Sequence, residues 1–219
     1  PSNATTASYV VSPKNSAASS SKAALINNGT PAQTSGSAAF IPFENYGWVS
    51  KPAVGTPTFG LAGSFSLNGS SGTSPGDLFS IGGADFSTFY GSNNDFGTIL
   101  NSWSTKAAMP TGKFQFSVQK AGDKLYATGG YNPNFSPVPD MYIYDIANDT
   151  WSNGAPMPVP VGDYASGVYA DSLIYYIGGY SGQDENIVQI YNTISDTWST
   201  GTIKPGTATA GLRGGINGD

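Results

Sequence analysis

The sequence predicts an all-β protein built from repeated four-stranded units. The first observation is composition: the 219 residues include 29 glycines and 15 prolines, with 38% apolar and only 11% charged residues. Such a chain is too aromatic to be disordered and too rich in glycine and proline to be helical. The second observation is a repeat, in which a glycine pair ends an apolar run and a tryptophan follows.

The repeat has two markers that recur at similar spacing. Glycine pairs occur at 82–83, 129–130 and 178–179, and tryptophans at Trp48, Trp103, Trp151 and Trp198. An aromatic or aliphatic residue lies seven positions before each tryptophan: Ile41, Phe96, Tyr144 and Tyr191. Glycines permit backbone angles closed to other residues and let a neighbouring unit approach, while a tryptophan can bury its ring and donate its N–H to a carbonyl. In an all-β chain, this period is typical of β-propeller blades.

The pattern divides the chain in order. Residues 1–39 are mostly Ser, Thr, Ala, Asn and Gly, which predicts a linker or an O-glycosylated stalk, with a disordered tail as the alternative. An outer strand of a preceding blade is predicted near 40–49. Complete blades are predicted at about 52–103, 104–151 and 152–198. The final stretch, "TAGLRGGINGD", has the pattern of the innermost strand of another blade.

Three blades do not close a ring, which usually needs about six or seven. An open ring would expose apolar blade faces and unpaired strand edges. We therefore expect the ring to be completed by the rest of a longer polypeptide, by a second copy, or by neighbours in a fibre.

The third unit, "YASGVYADSLIYYIGGYSGQDENIVQIYNTISDTW", resembles the kelch repeat. That resemblance extends over residues 40–219 and implies a four-stranded blade, with the glycine pair ending its second strand and the spaced Tyr and Trp in its third and fourth. The first unit departs from the pattern. Its loop "NGSSGTSPGD" is long, and Phe96-Gly97 replaces the usual Tyr-Asp pair.

The kelch resemblance also implies a binding face, because the loops after the glycine pair and after the tryptophan share one side of such propellers. It assigns six ligand-binding candidates: Tyr131, Asn132, Phe135, Tyr180, Ser181 and Gln183. The alternative is that these aromatics only pack the loops. Lys113 aligns with a position that is often basic in substrate-adaptor kelch proteins, whereas the next unit has Val161. An arginine-rich pocket for acidic peptides is therefore not expected.

Most catalytic chemistry is excluded by composition, because the chain contains no cysteine and no histidine. Disulfides, the usual zinc sites and Ser-His-Asp arrangements are absent, so "GTSPG" at 72–76 is a chance match to a hydrolase nucleophile motif. The copper site of galactose-oxidase-like propellers needs the same missing residues. Asp163 and the pair Asp184-Glu185 are the acidic candidates for glycoside hydrolysis, but loop carboxylates are usually solvated. We predict no metal and no cofactor.

Charge and hydropathy restrict the partners. The net charge is −5 and the nine basic residues are scattered, which does not favour nucleic acid. No apolar run approaches the roughly 18 residues of a membrane span. Five glycosylation sequons begin at Asn3, Asn28, Asn68, Asn134 and Asn148. They favour a secreted eukaryotic protein, with a bacterial cell-surface protein as the alternative.

The function that these observations predict is binding. We expect a non-catalytic, secreted or cell-surface kelch propeller module that binds protein or glycan, or takes part in extracellular assembly. The alternative is the propeller scaffold of a carbohydrate-active or copper-oxidase-like enzyme whose catalytic residues lie outside this chain.

Overall fold

The computed structural model describes residues 52–53, 58–66, 76–85, 87–98, 100–212 and 214. The predicted extension 1–39 and the predicted outer strand near 40–49 lie outside these residues. The described part of the chain contains no helix and twelve strands: β1 Ala62–Ser66, β2 Asp77–Ile81, β3 Asn93–Gly97, β4 Ser102–Thr105, β5 Ser117–Ala121, β6 Lys124–Thr128, β7 Met141–Asp145, β8 Thr150–Asn153, β9 Ala165–Tyr169, β10 Leu173–Tyr180, β11 Asp184–Asn192 and β12 Thr197–Thr200.

The strands form three antiparallel sheets of four, and in each sheet the spatial order follows the chain order. The sheets are β1–β4, β5–β8 and β9–β12. In the middle sheet, Leu125 pairs with Tyr144 and Tyr144 pairs with Trp151, so the repeat's Tyr and Trp lie side by side on adjacent strands. The predicted all-β class and the four-stranded units are confirmed.

The innermost strands β1, β5 and β9 contact one another in succession. The residues just before them form a series of backbone hydrogen bonds from sheet to sheet. Gln115 N–H donates to Gly60 O at 2.8 Å, and Asp163 N–H donates to Gln115 O at 3.2 Å. Leu212 N–H continues the series by donating to Asp163 O at 3.1 Å. Leu212 thus lies beside the third sheet, where the sequence predicts another innermost strand to begin.

The apolar core lies between the sheets. One cluster joins the first two sheets, with the rings of Phe79 and Tyr144 packed edge to face at 6.0 Å. A second cluster joins the second and third sheets, where Tyr126 and Tyr191 lie 5.9 Å apart. Because the middle sheet has a neighbour on both sides, its strand β7 buries residues of both faces, which include Met141 and Tyr144.

Each tryptophan bonds to the backbone of the segment that leads into the first strand of its own sheet. Trp151 Nε1 donates to Ala107 O at 2.7 Å, while Ala107 N–H donates to Asp149 Oδ1 at 2.7 Å. We call this pair of bonds the clamp, because one sheet holds both backbone groups of a single residue. The same pair of bonds occurs at the connection between the second and third sheets. Ala155 O accepts from Trp198 Nε1 at 2.8 Å, and Ala155 N–H donates to Asp196 Oδ1 at 2.7 Å. The expected tryptophan-to-carbonyl bond is confirmed.

The first sheet keeps only the carbonyl half of this arrangement. Trp103 Nε1 donates to Pro52 O at 2.7 Å. Proline has no N–H to offer, and Asn101 stands two residues before this tryptophan where the later sheets have aspartate. The first unit therefore departs from the repeat in two places: in its long loop, and in the hydrogen bonds that its tryptophan region makes to the segment before β1.

Four-stranded antiparallel sheets that pack face to face, with consecutive innermost strands in contact, define the blades of a β-propeller. The three sheets are three such blades. Among the described residues, no helix is long and apolar enough to span a membrane.

Candidate functional site

One edge of the blades carries the loops β2–β3, β6–β7 and β10–β11 together with the connections between blades, because alternate ends of antiparallel strands meet at the same edge. Isolated bridges tie these segments together. Phe114 bridges to Tyr131, which bridges to Pro137. The same pattern joins Phe59, Ala84 and Phe89 in the first blade. The loop edge is thus an extension of the sheets with a fixed backbone.

Five aromatic side chains from the first two blades gather at this loop edge: Phe59, Phe89, Phe114, Tyr131 and Phe135. We call them the aromatic patch. Phe114 lies at its centre, with ring centroids 5.8 Å from Phe59, 5.2 Å from Phe89, 5.6 Å from Tyr131 and 5.4 Å from Phe135. Phe114 is buried, whereas Phe59 is 42% exposed and Phe135 is 67% exposed. The patch therefore has a buried base and an exposed surface.

Two predicted binding residues lie in the patch, in different roles. Tyr131 is only 6% exposed and its ring lies over Gly162, so it supports the patch and presents little of itself. Phe135 is exposed and has a φ of +58°. That left-handed backbone region is unfavourable for a bulky side chain. A large apolar residue in a disfavoured conformation at the surface is typical of a functional position.

Asn132 holds the loop that presents Phe135. Its side-chain Oδ1 accepts the N–H groups of Asn134 at 2.9 Å and Ser136 at 3.1 Å, and its carbonyl accepts the N–H of Phe135 at 2.9 Å. This is the usual role of an asparagine in a tight turn. Asn132 therefore fixes the shape of the loop, and its Oδ1 is already used within the chain.

The remaining three candidates lie in the third blade, with Tyr180 at the end of β10 and Ser181 and Gln183 in the loop β10–β11. Tyr180 is 39% exposed. Ser181 Oγ donates to Glu185 Oε1, and Gln183 Nε2 donates to the same oxygen at 3.4 Å. Tyr180 exchanges backbone hydrogen bonds with Gly162, on which the ring of Tyr131 rests. The structure thus brings Tyr180 beside the patch, while Ser181 and Gln183 help to fix its loop.

Sequence reasoning missed Phe59, Phe89 and Phe114. Phe59 and Phe114 make equivalent bridges in consecutive repeats, so alignment of the connections between blades could have found them. Phe89 lies in the loop β2–β3 of the first unit, where the kelch pattern is weakest, and no spacing marks it.

Two titratable groups at the loop edge, Asp85 and Tyr131, have shifted pKa values. Tyr90 Oη donates to Asp85 Oδ2 at 2.6 Å, and hydrogen bonds from Tyr90 and Ser87 lower the pKa of Asp85 to about 2. Burial, followed by the charge of Asp163, raises the pKa of Tyr131 to about 12. At neutral pH the Asp85 carboxylate is therefore charged and the Tyr131 hydroxyl is protonated.

Lys113, which the sequence placed at an often-basic position, does not face solvent. It is 1% exposed, and its Nζ donates to Ala127 O and Asp140 O, each at 3.1 Å. The amine also lies 5.2 Å from the ring centre of Phe116 and 4.8 Å from that of Tyr142. Burial lowers its pKa to about 7, with the charge of Asp140 opposing the shift. This lysine contributes no basic pocket to the loop edge.

The buried Lys113 predicts a pH-dependent stability. An unfolded lysine keeps its proton up to its ordinary pKa near 10.5, whereas the folded amine loses it near 7. Between these values unfolding takes up a proton, so the free energy of unfolding should rise with pH, by about 1.4 kcal/mol per unit at most. Urea unfolding at pH 7 to 9 should show this slope in the wild type and in Lys124→Met, but not in Lys113→Met. An equal slope in all three proteins would contradict the assignment.

A groove of about 220 Å³ follows the innermost strands. Its polar side chains already bond to one another: the Ser117 and Ser166 hydroxyls lie 2.5 Å apart, and Gln119 Nε2 donates to Ser166 Oγ at 2.9 Å. These groups are satisfied without a ligand, so the groove is a weaker candidate than the patch. The described residues contain no group of three acidic side chains able to hold a metal.

Two of the five sequons fall within the described residues. Asn134 is exposed next to Phe135 on the loop edge, and Asn148 is exposed in the β7–β8 turn at the opposite edge. Asn3, Asn28 and Asn68 lie outside the described residues.

The Kelch motif family model matches residues 114–158 and 163–205, which contain the second and third blades. Kelch-like protein 25 of Xenopus tropicalis is 32% identical over 76 residues, which is 35% of this chain and 13% of the relative. A kelch repeat-containing protein of Dictyostelium discoideum is 33% identical over 83 residues, 35% of this chain and 12% of the relative. Kelch-like protein 26 of Danio rerio is 28% identical over 130 residues, 57% of this chain and 21% of the relative.

These matches confirm the resemblance drawn from the third unit. The three sheets are consistent with blades of a partial β-propeller, and the second and third match the kelch motif. The chain spans between about an eighth and a fifth of the length of these relatives.

Proposed function

We propose that this chain is a non-catalytic, protein-binding kelch propeller segment and that the aromatic patch is its binding face. The exposed Phe135 carries the proposal, since its loop holds a large apolar side chain 67% exposed at a φ of +58°. Aromatic anchors supply much of the energy of protein interfaces. The kelch-repeat relatives support a binding role, because kelch repeats suggest a protein-binding propeller.

Selection of short peptides from a random displayed library tests the proposed binding face. Selected peptides should bind Phe135→Gly at least about tenfold more weakly than the wild type, as expected for an interface anchor. Glycine readily adopts the φ of this position, so the variant should keep its fold, as checked by its melting temperature. The matched control is Ile194→Gly, which removes a side chain 84% exposed in the β11–β12 turn at the opposite edge.

If the selected peptides bind Phe135→Gly and the wild type equally, the binding face lies elsewhere. If parallel libraries yield bound glycans but no bound peptides, the ligand is a sugar and the proposed protein ligand is wrong.

We also propose that the chain belongs to a secreted or cell-surface protein. The five sequons support this location, and Asn148 stands exposed in a turn that a glycan can reach. Protein purified from its natural source should lose mass on glycosidase treatment, and the loss should be smaller, by the mass of one glycan, in Asn148→Gln. An unchanged mass would count against passage through a eukaryotic secretory route.

A further inference from the structure

We infer that the aromatic patch binds a cationic peptide segment, with arginine or lysine side chains held between its rings and the carboxylates that border it. This inference rests on the binding face proposed above and specifies its ligand.

The rings offer surfaces for a cation. Phe135 and Phe59 are exposed, and Phe89 lies edge to face with Phe135 at 6.0 Å and 87°. A guanidinium or ammonium group over an aromatic face is attracted by the electron density of the ring. Arginine gains further because its planar group stacks on rings while its N–H groups bond to carboxylates.

Carboxylates flank the patch on both sides. Asp85 lies four residues before Phe89 in the first blade. On the other side, Asp163 follows Gly162, against which the ring of Tyr131 packs. Asp184 is exposed and pairs with Tyr180 across the loop β10–β11. A peptide lying across the rings would thus meet negative charge at either end.

The described amines at this edge offset only part of that charge. Lys113 is buried and bonded to carbonyl oxygens. Lys106 Nζ lies 3.6 Å from Asp95 Oδ2, and Lys204 Nζ donates to Thr207 O at 2.7 Å. The acidic side chains in the described loops of this edge and at the strand ends beside them are Asp85, Asp140, Asp163, Asp184 and Glu185. The loop edge is therefore negative beside its exposed rings, which favours a positively charged partner.

Three synthetic peptides of one length and backbone test the inference on the whole 219-residue chain. They carry several arginines, the same number of neutral citrullines, or the same number of glutamates. By fluorescence anisotropy, the arginine peptide should bind most tightly. Its affinity should fall about threefold in Asp184→Asn, as for an exposed ion pair, and at least about tenfold in Phe135→Gly. Raising NaCl to about 0.3 M should weaken it further.

Controls on the opposite edge separate this inference from general charge effects. Asp123→Asn removes an exposed carboxylate in the β5–β6 turn, and this variant should bind like the wild type. Equal binding of the arginine and citrulline peptides, no measurable binding of the arginine peptide, or equal losses in Asp123→Asn and Asp184→Asn would each overturn the cationic ligand.

The binding face itself has a separate outcome. If library-selected neutral peptides depend on Phe135 while every peptide tolerates Asp184→Asn, the proposed face stands and the cationic ligand is wrong. If no bound peptide depends on Phe135, both proposals fail.

Discussion

Replacing Trp151 with alanine is expected to lower the free energy of unfolding by about 3 kcal/mol. The half-buried indole packs against Tyr144 with ring centroids 4.9 Å apart, and its N–H bonds to Ala107 in the connection between the first and second blades. The substitution removes both interactions and leaves a cavity beside the joint. Urea unfolding of the variant and the wild type measures the difference.

Trp151→Phe separates the two contributions. Phenylalanine keeps most of the ring contact and loses only the hydrogen bond, which should cost about 1 kcal/mol. A loss below about 1 kcal/mol for Trp151→Ala would show that the joint does not depend on this ring.

Gly129→Ala should be as damaging, because the next blade lies directly against this glycine. A Cβ built there would be 2.6 Å from Val161 O, and the residue has a φ of +57°. The left-handed backbone costs about 1–2 kcal/mol for alanine, and the clash adds about 1–3 kcal/mol more. We expect a total loss of about 3 kcal/mol by urea unfolding.

Gly122→Ala is the matched control. Gly122 has nearly the same φ, +55°, but a Cβ there would meet nothing within 4 Å. Gly122→Ala should lower the free energy of unfolding only by the cost of the left-handed backbone. The decrease in Gly129→Ala should therefore be larger by about 2 kcal/mol. Equal losses would mean that the backbone angle alone explains the glycine pair.

The sequence predicted the parts of the fold that depend on repeated local chemistry. The glycine pairs mark where the next blade approaches, and each Tyr seven residues before a Trp lies beside it on the adjacent strand, as Tyr144 does with Trp151. Both the glycine pair and the Tyr-Trp spacing reflect contacts within one repeat or between adjacent repeats. They therefore recur at a constant spacing that is visible in the sequence.

The loop edge proposed for binding was less predictable, because side-chain direction in loops depends on individual backbone angles. Phe135 and Tyr131 lie in the same loop and look alike in sequence, yet the positive φ at Phe135 leaves one ring exposed while the other is buried. The patch also combines rings from both sides of a blade joint, such as Phe59 and Phe114. The spacing of residues within one repeat does not predict that rings from two blades will pack together.

The clamp has a consequence for how this chain could lengthen or shorten during evolution. Trp151 lies 44 residues after the alanine it holds, and Trp198 lies 43 residues after its own. The receiving residue contributes only its backbone carbonyl and N–H, which every residue except proline possesses. A duplicated unit would therefore bring its own Trp and Asp and could attach to whatever residue preceded it. Whole blades can be gained or lost by gene duplication and deletion without coordinated changes in their neighbours.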